Sequence, residues 1–313
     1  MTPLRAHPGS RWTLRLVTRS GGQERVLFAK VYARERPDVA RTLTALRRGG
    51  LDGAHAVPRP LLYVPGWRLL LLEEAPGLPD RDLLRSGGPG VAERAAEWLA
   101  AFHTAAVPLP AAYRMRDPLV QAGRWARRLA EHDPTLGMAG RRLLGRLEAA
   151  RPPWPPPGPR LLHGDFVASH VFLARDRVTV IDWDGWGVGD PAQDAGRFLA
   201  SLRHLAVRRP ALAGRAEGEA GAFAARYRDL VPSAGAGLPF HAALACLRRA
   251  ARLAGGGKPG AREGALALLE AAERTLTERH RPSGVQVGRA TGAASRSSGA
   301  DPPPTPEGRP TGD

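Results

Sequence analysis

Hydrophobic positions follow two different periods along the chain, and the change between them predicts the architecture. In the first quarter, apolar and polar residues alternate over 11–17, 25–32 is rich in apolar and β-branched residues, and 67–74 is a strongly apolar run. These patterns are typical of β-strands, and Gly21-Gly22 between the first two predicts a hairpin. Further along, apolar residues recur at helical spacing. The predicted helices are 37–48, 90–104, 119–131, 138–150, 191–207, 215–230, 238–254 and 260–280.

Breaks in this pattern indicate where the chain divides. The Ala-Pro-Gly sequence at 75–77 follows the third strand, so we predict a strand-rich lobe over 1–74 and a helical lobe over 75–281. Residues 1–10 are polar and predict a frayed end. Residues 282–313 are Gly, Ser, Thr, Pro and Arg with few apolar side chains, which predicts a disordered tail. Strands gathered at the start and helices in the remainder are typical of a two-lobed α+β protein.

One predicted hairpin interrupts the helical part and gathers polar residues at its mouth. Val171–Ala174 and Val178–Ile181 are short apolar runs on either side of a polar turn. His170 precedes the first strand, Asp182 follows the second, and Asp165 lies on the loop before them. Burying carboxylates at a strand end is unfavourable unless a cation or a substrate uses them. We therefore expect a functional site at this hairpin.

Composition narrows the class of protein. The net charge is +16, but the arginines are scattered, and only Lys30 and Lys258 among the 46 basic residues are lysines. Such arginine usage is typical of a composition bias, so we predict no nucleic-acid partner. The single cysteine, Cys246, excludes a disulfide within the chain and favours the cytoplasm. No apolar run approaches the length that crosses a bilayer, about 20 residues, so we predict no membrane association. The oligomeric state has no signal in the sequence.

A specific series of motifs surrounds the hairpin. It consists of His-Gly-Asp at 163–165, a hairpin that ends in Ile-Asp-Trp at 181–183, and Gly-Asp-Pro-x-x-Asp at 189–194. This series resembles the aminoglycoside phosphotransferase and choline kinase family, over roughly residues 10–280. The resemblance implies a two-lobed protein-kinase-like fold. It also implies an ATP-dependent kinase that phosphorylates a hydroxyl group of a small-molecule acceptor.

The same resemblance implies roles for the residues at the hairpin. Asp165 matches the aspartate that accepts the proton of the substrate hydroxyl, and Asp182 matches the aspartate that binds Mg²⁺ at the ATP phosphates. His170 stands where the family usually has an Asn that binds a second metal ion. A neutral imidazole ligates metals, although Mg²⁺ prefers oxygen. Asp184 is a further candidate metal ligand.

The resemblance also implies nucleotide contacts from the N-terminal lobe. Lys30 lies on the predicted strand 25–32 and matches the lysine that pairs with the ATP phosphates, which a compact point charge suits. Glu73, Glu74 and Ala75 match the segment between the lobes whose backbone contacts adenine. The expected cofactors are therefore ATP and Mg²⁺.

A second hypothesis stays open because His170 replaces the usual Asn and because two expected features are missing from the sequence. Only Gly9 precedes the first predicted strand, which leaves too little chain for a glycine-rich strand-loop-strand over the phosphates. Residues 38–50 contain no Glu to pair with Lys30, and only Glu35 or Asp38 is close enough in sequence to do so. The alternative is therefore a nucleotide-binding pseudokinase with weak or no activity.

A third hypothesis is a metal-dependent phosphohydrolase. Its ligands would be His163, Asp165, His170 and Asp182. Histidine ligation favours Mn²⁺ or Zn²⁺ over Mg²⁺. This hypothesis leaves the hairpin spacing and Lys30 without an explanation.

Overall fold

A computed structural model of the chain describes residues 2–79, 82, 90–105, 107, 117–257 and 259–278. The predicted disordered tail at 282–313 lies outside these residues. Within them, an antiparallel sheet comes first and a larger helical part follows. The fold is therefore α+β, as the hydrophobic pattern predicts.

Most strands of the first part form one antiparallel sheet. The strands are β1 (Thr2–His7), β2 (Arg11–Ser20), β3 (Gln23–Tyr32), β4 (His55–Ala56), β5 (Pro60–Val64), β6 (Leu69–Glu73) and β7 (Leu78–Pro79). The order in the sheet is β1-β2-β3-β6-β5, so the predicted hairpin is β2–β3. Helix α1 (Pro37–Arg48) begins at a proline, which suits a first helical turn, and buries Val39, Leu43 and Leu46.

Strand β1 shows that the prediction of a frayed end at residues 1–10 is wrong. It pairs with β2 from Thr2↔Arg15 to His7↔Arg11, and Gly9, at φ 71°, lies in the turn between the two strands. The side chains of β1 are exposed except for a half-buried His7, so the strand has no apolar pattern. Backbone hydrogen bonds to β2 hold such an edge strand in place.

The helical part contains the predicted helices together with one short helix that was not predicted, Pro232–Gly235. They are α2 (Val91–Thr104), α3 (Pro118–His132), α4 (Pro134–Ala149), α5 (Ala192–Arg208), α6 (Ala213–Leu230), α7 (Pro232–Gly235), α8 (Leu238–Ala254) and α9 (Ala261–Glu278). Helix α4 begins earlier than predicted, because the Asp133 carboxylate accepts the Leu136 N–H and caps the helix. Among the described residues, none of the helices combines the length and hydrophobicity needed to cross a bilayer.

The predicted hairpin lies between the two parts. It consists of β9 (Val171–Leu173) and β10 (Val178–Val180), with β8 (Arg160–Leu162) before it and β11 (Gly187–Gly189) after it. Strand β10 also pairs with β4, and β9 with β7. A continuous core lies against the hairpin, because Leu70 of β6, Trp98 of α2 and Trp183 belong to one buried cluster. The residues at the mouth of the hairpin are thus held by both parts of the fold.

Candidate active site

Predicted site residues from both parts of the chain line one cavity. Its volume is about 430 Å³. The predicted residues in its lining are Lys30, Glu73, Glu74, Ala75, His170 and Asp182. Its apolar lining includes Phe28, Leu72, Phe172 and Ile181. The structure therefore brings the β3 lysine, the end of β6 and the hairpin mouth to one place.

Lys30 pairs with the aspartates that follow the hairpin. Its Nζ lies 2.7 Å from Asp182 Oδ1 and 3.0 Å from Asp184 Oδ2. The Tyr32 hydroxyl donates a hydrogen bond of 2.8 Å to Asp184 Oδ1. Because Lys30 is only 7% exposed, water screens these interactions weakly.

Arg11 is a second cation in this cluster. Its guanidinium lies 2.9 Å from Asp182 Oδ2 and 2.7 Å from Asp184 Oδ2. Two cations therefore face two carboxylates, and the cluster is balanced in charge. Nothing in the sequence marks Arg11, because it is one of many arginines and its partners lie far away in sequence.

The turn between β1 and β2 lies beside the same cluster. Gly9, Ser10 and Arg11 line a small cavity together with Asp184. The prediction that the chain is too short for a strand-loop-strand ahead of Lys30 is therefore wrong. The loop exists, although it contains a single glycine.

Neither acidic residue proposed as a partner of Lys30 contacts it. Glu35 accepts a hydrogen bond from the Tyr63 hydroxyl. Asp38 accepts hydrogen bonds of 2.9 Å from Arg36 Nε and from Trp186 Nε1. The partners of Lys30 are Asp182 and Asp184, which lie far away in sequence and are brought near by the fold.

The positive neighbours keep Asp182 ionised. Burial would raise the pKa of its carboxyl, but the charge of Lys30 above all, followed by those of His170 and Arg11, holds this pKa well below its usual range. Burial and the charge of Asp184 raise the pKa of the Tyr32 hydroxyl. At neutral pH Asp182 is therefore a carboxylate and Tyr32 is a hydrogen-bond donor.

His170 connects Asp182 to the loop that carries Asp165. Its Nδ1 lies 2.9 Å from the Asp165 carbonyl oxygen, and since a carbonyl only accepts, Nδ1 carries a proton. Its Nε2 lies 3.6 Å from Asp182 Oδ2.

The side chain of Asp165 does not line the 430 Å³ cavity. It is 34% exposed, and Arg248 Nη1 lies 3.5 Å from its Oδ1. Burial would raise the pKa of Asp165, but the positive neighbours, led by Arg248, lower it below the usual value. Asp165 is therefore an ionised carboxylate that solvent or a ligand can reach.

Backbone contacts fix the loop that carries Asp165. The buried Asp194 carboxylate accepts the N–H groups of His163 at 2.6 Å and of Gly164 at 3.0 Å. Gly164 has φ +79°, and a Cβ atom there would lie 1.7 Å from the carbonyl oxygen of Gly185. Only glycine fits this position, so the loop is locked against the segment after the hairpin.

Asp182 and Asp184 offer two carboxylates as possible ligands of Mg²⁺. Among the described residues, no group of three or more His, Cys, Asp or Glu side chains could hold a metal ion. Mg²⁺ at phosphate sites is typically bound by one or two carboxylates and by phosphate oxygens of the substrate. Asp182 and Asp184 fit that description, and a bound cation would replace part of their contacts with Lys30 and Arg11.

Solved structures share this fold at low sequence identity. A thermostable mutant of the aminoglycoside phosphotransferase APH(4)-Ia, in a ternary complex with ADP and hygromycin B, is 18% identical with a TM-score of 0.62, covering 88% of this chain and 93% of that chain. A choline/ethanolamine kinase family protein from Mesorhizobium loti is 16% identical with a TM-score of 0.55, covering 90% and 91%. The amicoumacin kinase hAmiN, in complex with AMP-PNP, Ca²⁺ and Ami, is 12% identical with a TM-score of 0.55, covering 88% of both chains. The chain therefore has a protein-kinase-like fold, as predicted.

The sequence also matches the model of a protein family. The model of the phosphotransferase enzyme family APH matches residues 6–230. The comparison with curated proteins found no match. Because the family match covers most of the chain and includes the sheet, the hairpin and the aspartates at its mouth, the chain belongs to the phosphotransferase enzyme family.

Proposed function

We propose that this phosphotransferase moves the γ-phosphoryl group of ATP to a hydroxyl group of a small-molecule acceptor. The observation that carries the proposal is the contact of 2.7 Å between Lys30 and Asp182 in one cavity, with His170 linking Asp182 to the loop of Asp165. Phosphoryl transfer asks a protein mainly for positioning and charge stabilisation. A cation from the sheet and two carboxylates joined through one histidine supply both.

The cavity of about 430 Å³ is the proposed nucleotide site. Its apolar side chains would cover the adenine ring, and the backbone at 73–75 would offer hydrogen-bonding groups at its rim. Lys30 and Arg11 would contact phosphate oxygens. In this proposal residues 1–74 form the nucleotide lobe and 75–281 form the lobe that binds the acceptor.

Asp182 and Asp184 are the residues that would hold Mg²⁺, with His170 beside Asp182. Bound Mg²⁺ would neutralise negative charge on the phosphate oxygens during transfer. Before substrate binds, Lys30 and Arg11 neutralise the negative charge of these two carboxylates.

Asp165 is the proposed base. Its lowered pKa keeps it ionised at neutral pH, so it can accept a hydrogen bond from the acceptor hydroxyl. The bond between the γ-phosphorus and the bridging β–γ oxygen breaks, and a bond between the acceptor oxygen and the phosphorus forms. ADP leaves with the bonding electron pair, and the hydroxyl proton passes to Asp165.

The two alternative hypotheses are less favoured. The pseudokinase hypothesis was motivated by two missing features and by His170 in place of the usual Asn. Each missing feature has a counterpart, which is the β1–β2 turn beside Asp184 for the loop and Asp182 as the partner of Lys30. The phosphohydrolase hypothesis does not account for membership of a phosphotransferase family. Transfer to a hydroxyl therefore explains more of the observations than either.

Nucleotide binding and transfer test the proposal separately. We expect Mg²⁺ and ATP to raise the thermal midpoint of the purified protein and ATP to be consumed with members of a panel of hydroxyl compounds. Asp165→Asn should keep the nucleotide-dependent shift and lose at least about 100-fold in transfer rate. Asp176→Asn, in the exposed hairpin turn, is the matched control. No shift with ATP, or full transfer by Asp165→Asn, would contradict the proposal.

A further inference from the structure

Arginines from two helices crowd together beside Asp165. Arg197 lies on α5, and Arg248, Arg249 and Arg252 lie on α8. Arg248 Nη1 is 3.5 Å from Asp165 Oδ1, and Arg197 and Arg249 interact electrostatically with the same carboxylate. The two helices approach closely because α5 presents Gly196 to α8, where a Cβ atom would lie 2.5 Å from the backbone.

This cluster carries more positive charge than the nearby carboxylates neutralise. Asp194, 3.9 Å from Arg197, is already bonded to two backbone N–H groups. Arg249 forms no hydrogen bond or ion pair with any residue that the structure describes. Burial and the neighbouring arginines lower the pKa of Arg248 to about 9. Half-buried like charges without partners are unfavourable unless an anion binds them.

A cavity of about 390 Å³ adjoins the cluster at Arg249. Its polar lining consists of Ser169, Ser201, His204, Arg208, Arg209 and Arg249, and none of its described lining residues is Asp or Glu. His204 Nδ1 is buried without a hydrogen-bond partner, and burial, with Arg249 and Arg208, lowers the pKa of His204 to about 4. Ser169 also lines the proposed nucleotide cavity, so the two cavities meet at this residue.

The arginine content of the chain does not account for this arrangement. Arginines in other parts of the structure include exposed and paired ones: Arg142 is 62% exposed and lies 2.7 Å from Glu273, and Arg226 lies 2.7 Å from Glu97. Arg248 is 20% exposed, and its nearest carboxylate is the candidate catalytic Asp165. Burial without sufficient partners distinguishes the cluster from the rest of the surface.

We propose that the phosphoryl acceptor is an anion, a small hydroxyl compound whose carboxylate or phosphate group is bound by Arg248 and Arg249 while its hydroxyl faces Asp165. This inference rests on the proposed function. The guanidinium fork pairs with two oxygens of a carboxylate or phosphate. An acceptor with ammonium groups would instead meet uncompensated positive charge and find no free carboxylate in the described lining of the 390 Å³ cavity.

Anion binding is measured with the nucleotide cavity filled. Protein saturated with Mg²⁺ and AMP-PNP is titrated with inorganic phosphate at constant ionic strength, and binding is followed by calorimetry. We expect saturable binding that is at least about tenfold weaker in Arg248→Gln and in Arg249→Gln, a difference of about 1.4 kcal/mol. Arg142→Gln, which removes an exposed and paired arginine, should bind phosphate like the wild type.

Two further readouts separate a binding role from a structural one. Without ligand, Arg249→Gln should unfold at a higher temperature than the wild type, because it removes a half-buried charge that forms no ion pair within the described part of the chain and lies among other arginines. In transfer assays, glycerol 3-phosphate and gluconate should be better acceptors than glycerol, glucose and choline. Three results would overturn the inference: faster transfer to choline than to the anionic acceptors, phosphate binding by Arg249→Gln that equals that of the wild type, or a thermal midpoint of Arg249→Gln below that of the wild type. If AMP-PNP did not raise the thermal midpoint of the wild type, the proposed function itself would be overturned instead.

Discussion

Positive and negative side chains meet in different proportions on the two sides of the β9–β10 hairpin. On the nucleotide side, Lys30 and Arg11 face Asp182 and Asp184 at distances of 2.7 to 3.0 Å. On the side of Asp165, the arginines of α5 and α8 outnumber the available carboxylates. The same short stretch of chain thus separates a balanced cluster from an unbalanced one.

This difference indicates what each side binds. A balanced cluster is stable without a ligand, and an arriving metal ion and polyphosphate must exchange partners with it. An unbalanced cluster is complete only when a ligand supplies the missing charge. Removing one charge from the balanced cluster should therefore destabilise the protein. Removing one arginine from the unbalanced cluster beside Asp165, which we call the acceptor side, should stabilise it.

The largest effect is expected where the two sides are locked together. Gly164→Ala would place a Cβ atom 1.7 Å from the carbonyl oxygen of Gly185, at a φ of +79°. The loop of Asp165 would have to move away from the segment after the hairpin. We expect a loss of at least about 4 kcal/mol in the free energy of unfolding, measured by chemical denaturation, together with loss of transfer.

Gly145→Ala is the control for this substitution. Gly145 lies in α4, and a Cβ atom there would meet nothing within 4 Å. Alanine in an exposed helix should stabilise the protein by up to about 1 kcal/mol. If Gly164→Ala were as stable as Gly145→Ala, the two sides of the hairpin would not be locked together, and their comparison as one site would fail.

The next effect breaks the balanced side. Asp182→Asn would leave Lys30 and Arg11 short of a carboxylate in a half-buried site. We expect the free energy of unfolding to fall by about 3–5 kcal/mol, whereas Asp176→Asn in the exposed turn should change it by less than about 0.5 kcal/mol. If the Asp182→Asn protein were more stable than the wild type, the ion pairs of Asp182 with Lys30 and Arg11 would not stabilise the fold.

The contribution of Asp182 to stability should depend on pH with a defined sign. Its folded-state pKa is lowered, so the stabilisation is complete above the unfolded-state value of about 3.9. It declines as the pH falls below that value toward the folded-state pKa. The difference in stability between the wild type and Asp182→Asn should therefore be constant above about pH 5 and shrink in more acidic solution.

Side chains that form local patterns could be predicted from the sequence. The hairpin was predictable because two short apolar runs flank a polar turn. The proximity of His170 and Asp182 was predictable because a hairpin brings the start of its first strand close to the end of its second. Lys30 stands out because lysine is rare in this chain. The structure brings Lys30 into contact with Asp182, although the two are far apart in sequence.

Residues whose importance comes from tertiary packing could not be predicted in this way. Strand β1 is exposed along nearly its whole length, so it has no hydrophobic pattern. Arg11 was not recognisable because its partners, Asp182 and Asp184, are distant in sequence. The arginines of α5 and α8 resemble any other arginine in the sequence until the helices pack against each other. Their burial and their excess over the nearby carboxylates are properties of the fold alone.

The smallest expected effect concerns the protonation of Asp165. Against burial, Arg248 is the foremost charge that lowers the pKa of this carboxyl. A base acts in its ionised form, so the transfer rate should fall as the pH drops through that pKa. Arg248→Gln removes the charge, so the pKa should rise and the acid limb of the kcat profile, measured at saturating acceptor, should move to higher pH. Arg142→Gln should keep the wild-type profile. If the limb of Arg248→Gln stays in place, the charge of Arg248 does not act on the base, and the two sides of the hairpin differ only in the ligands they bind.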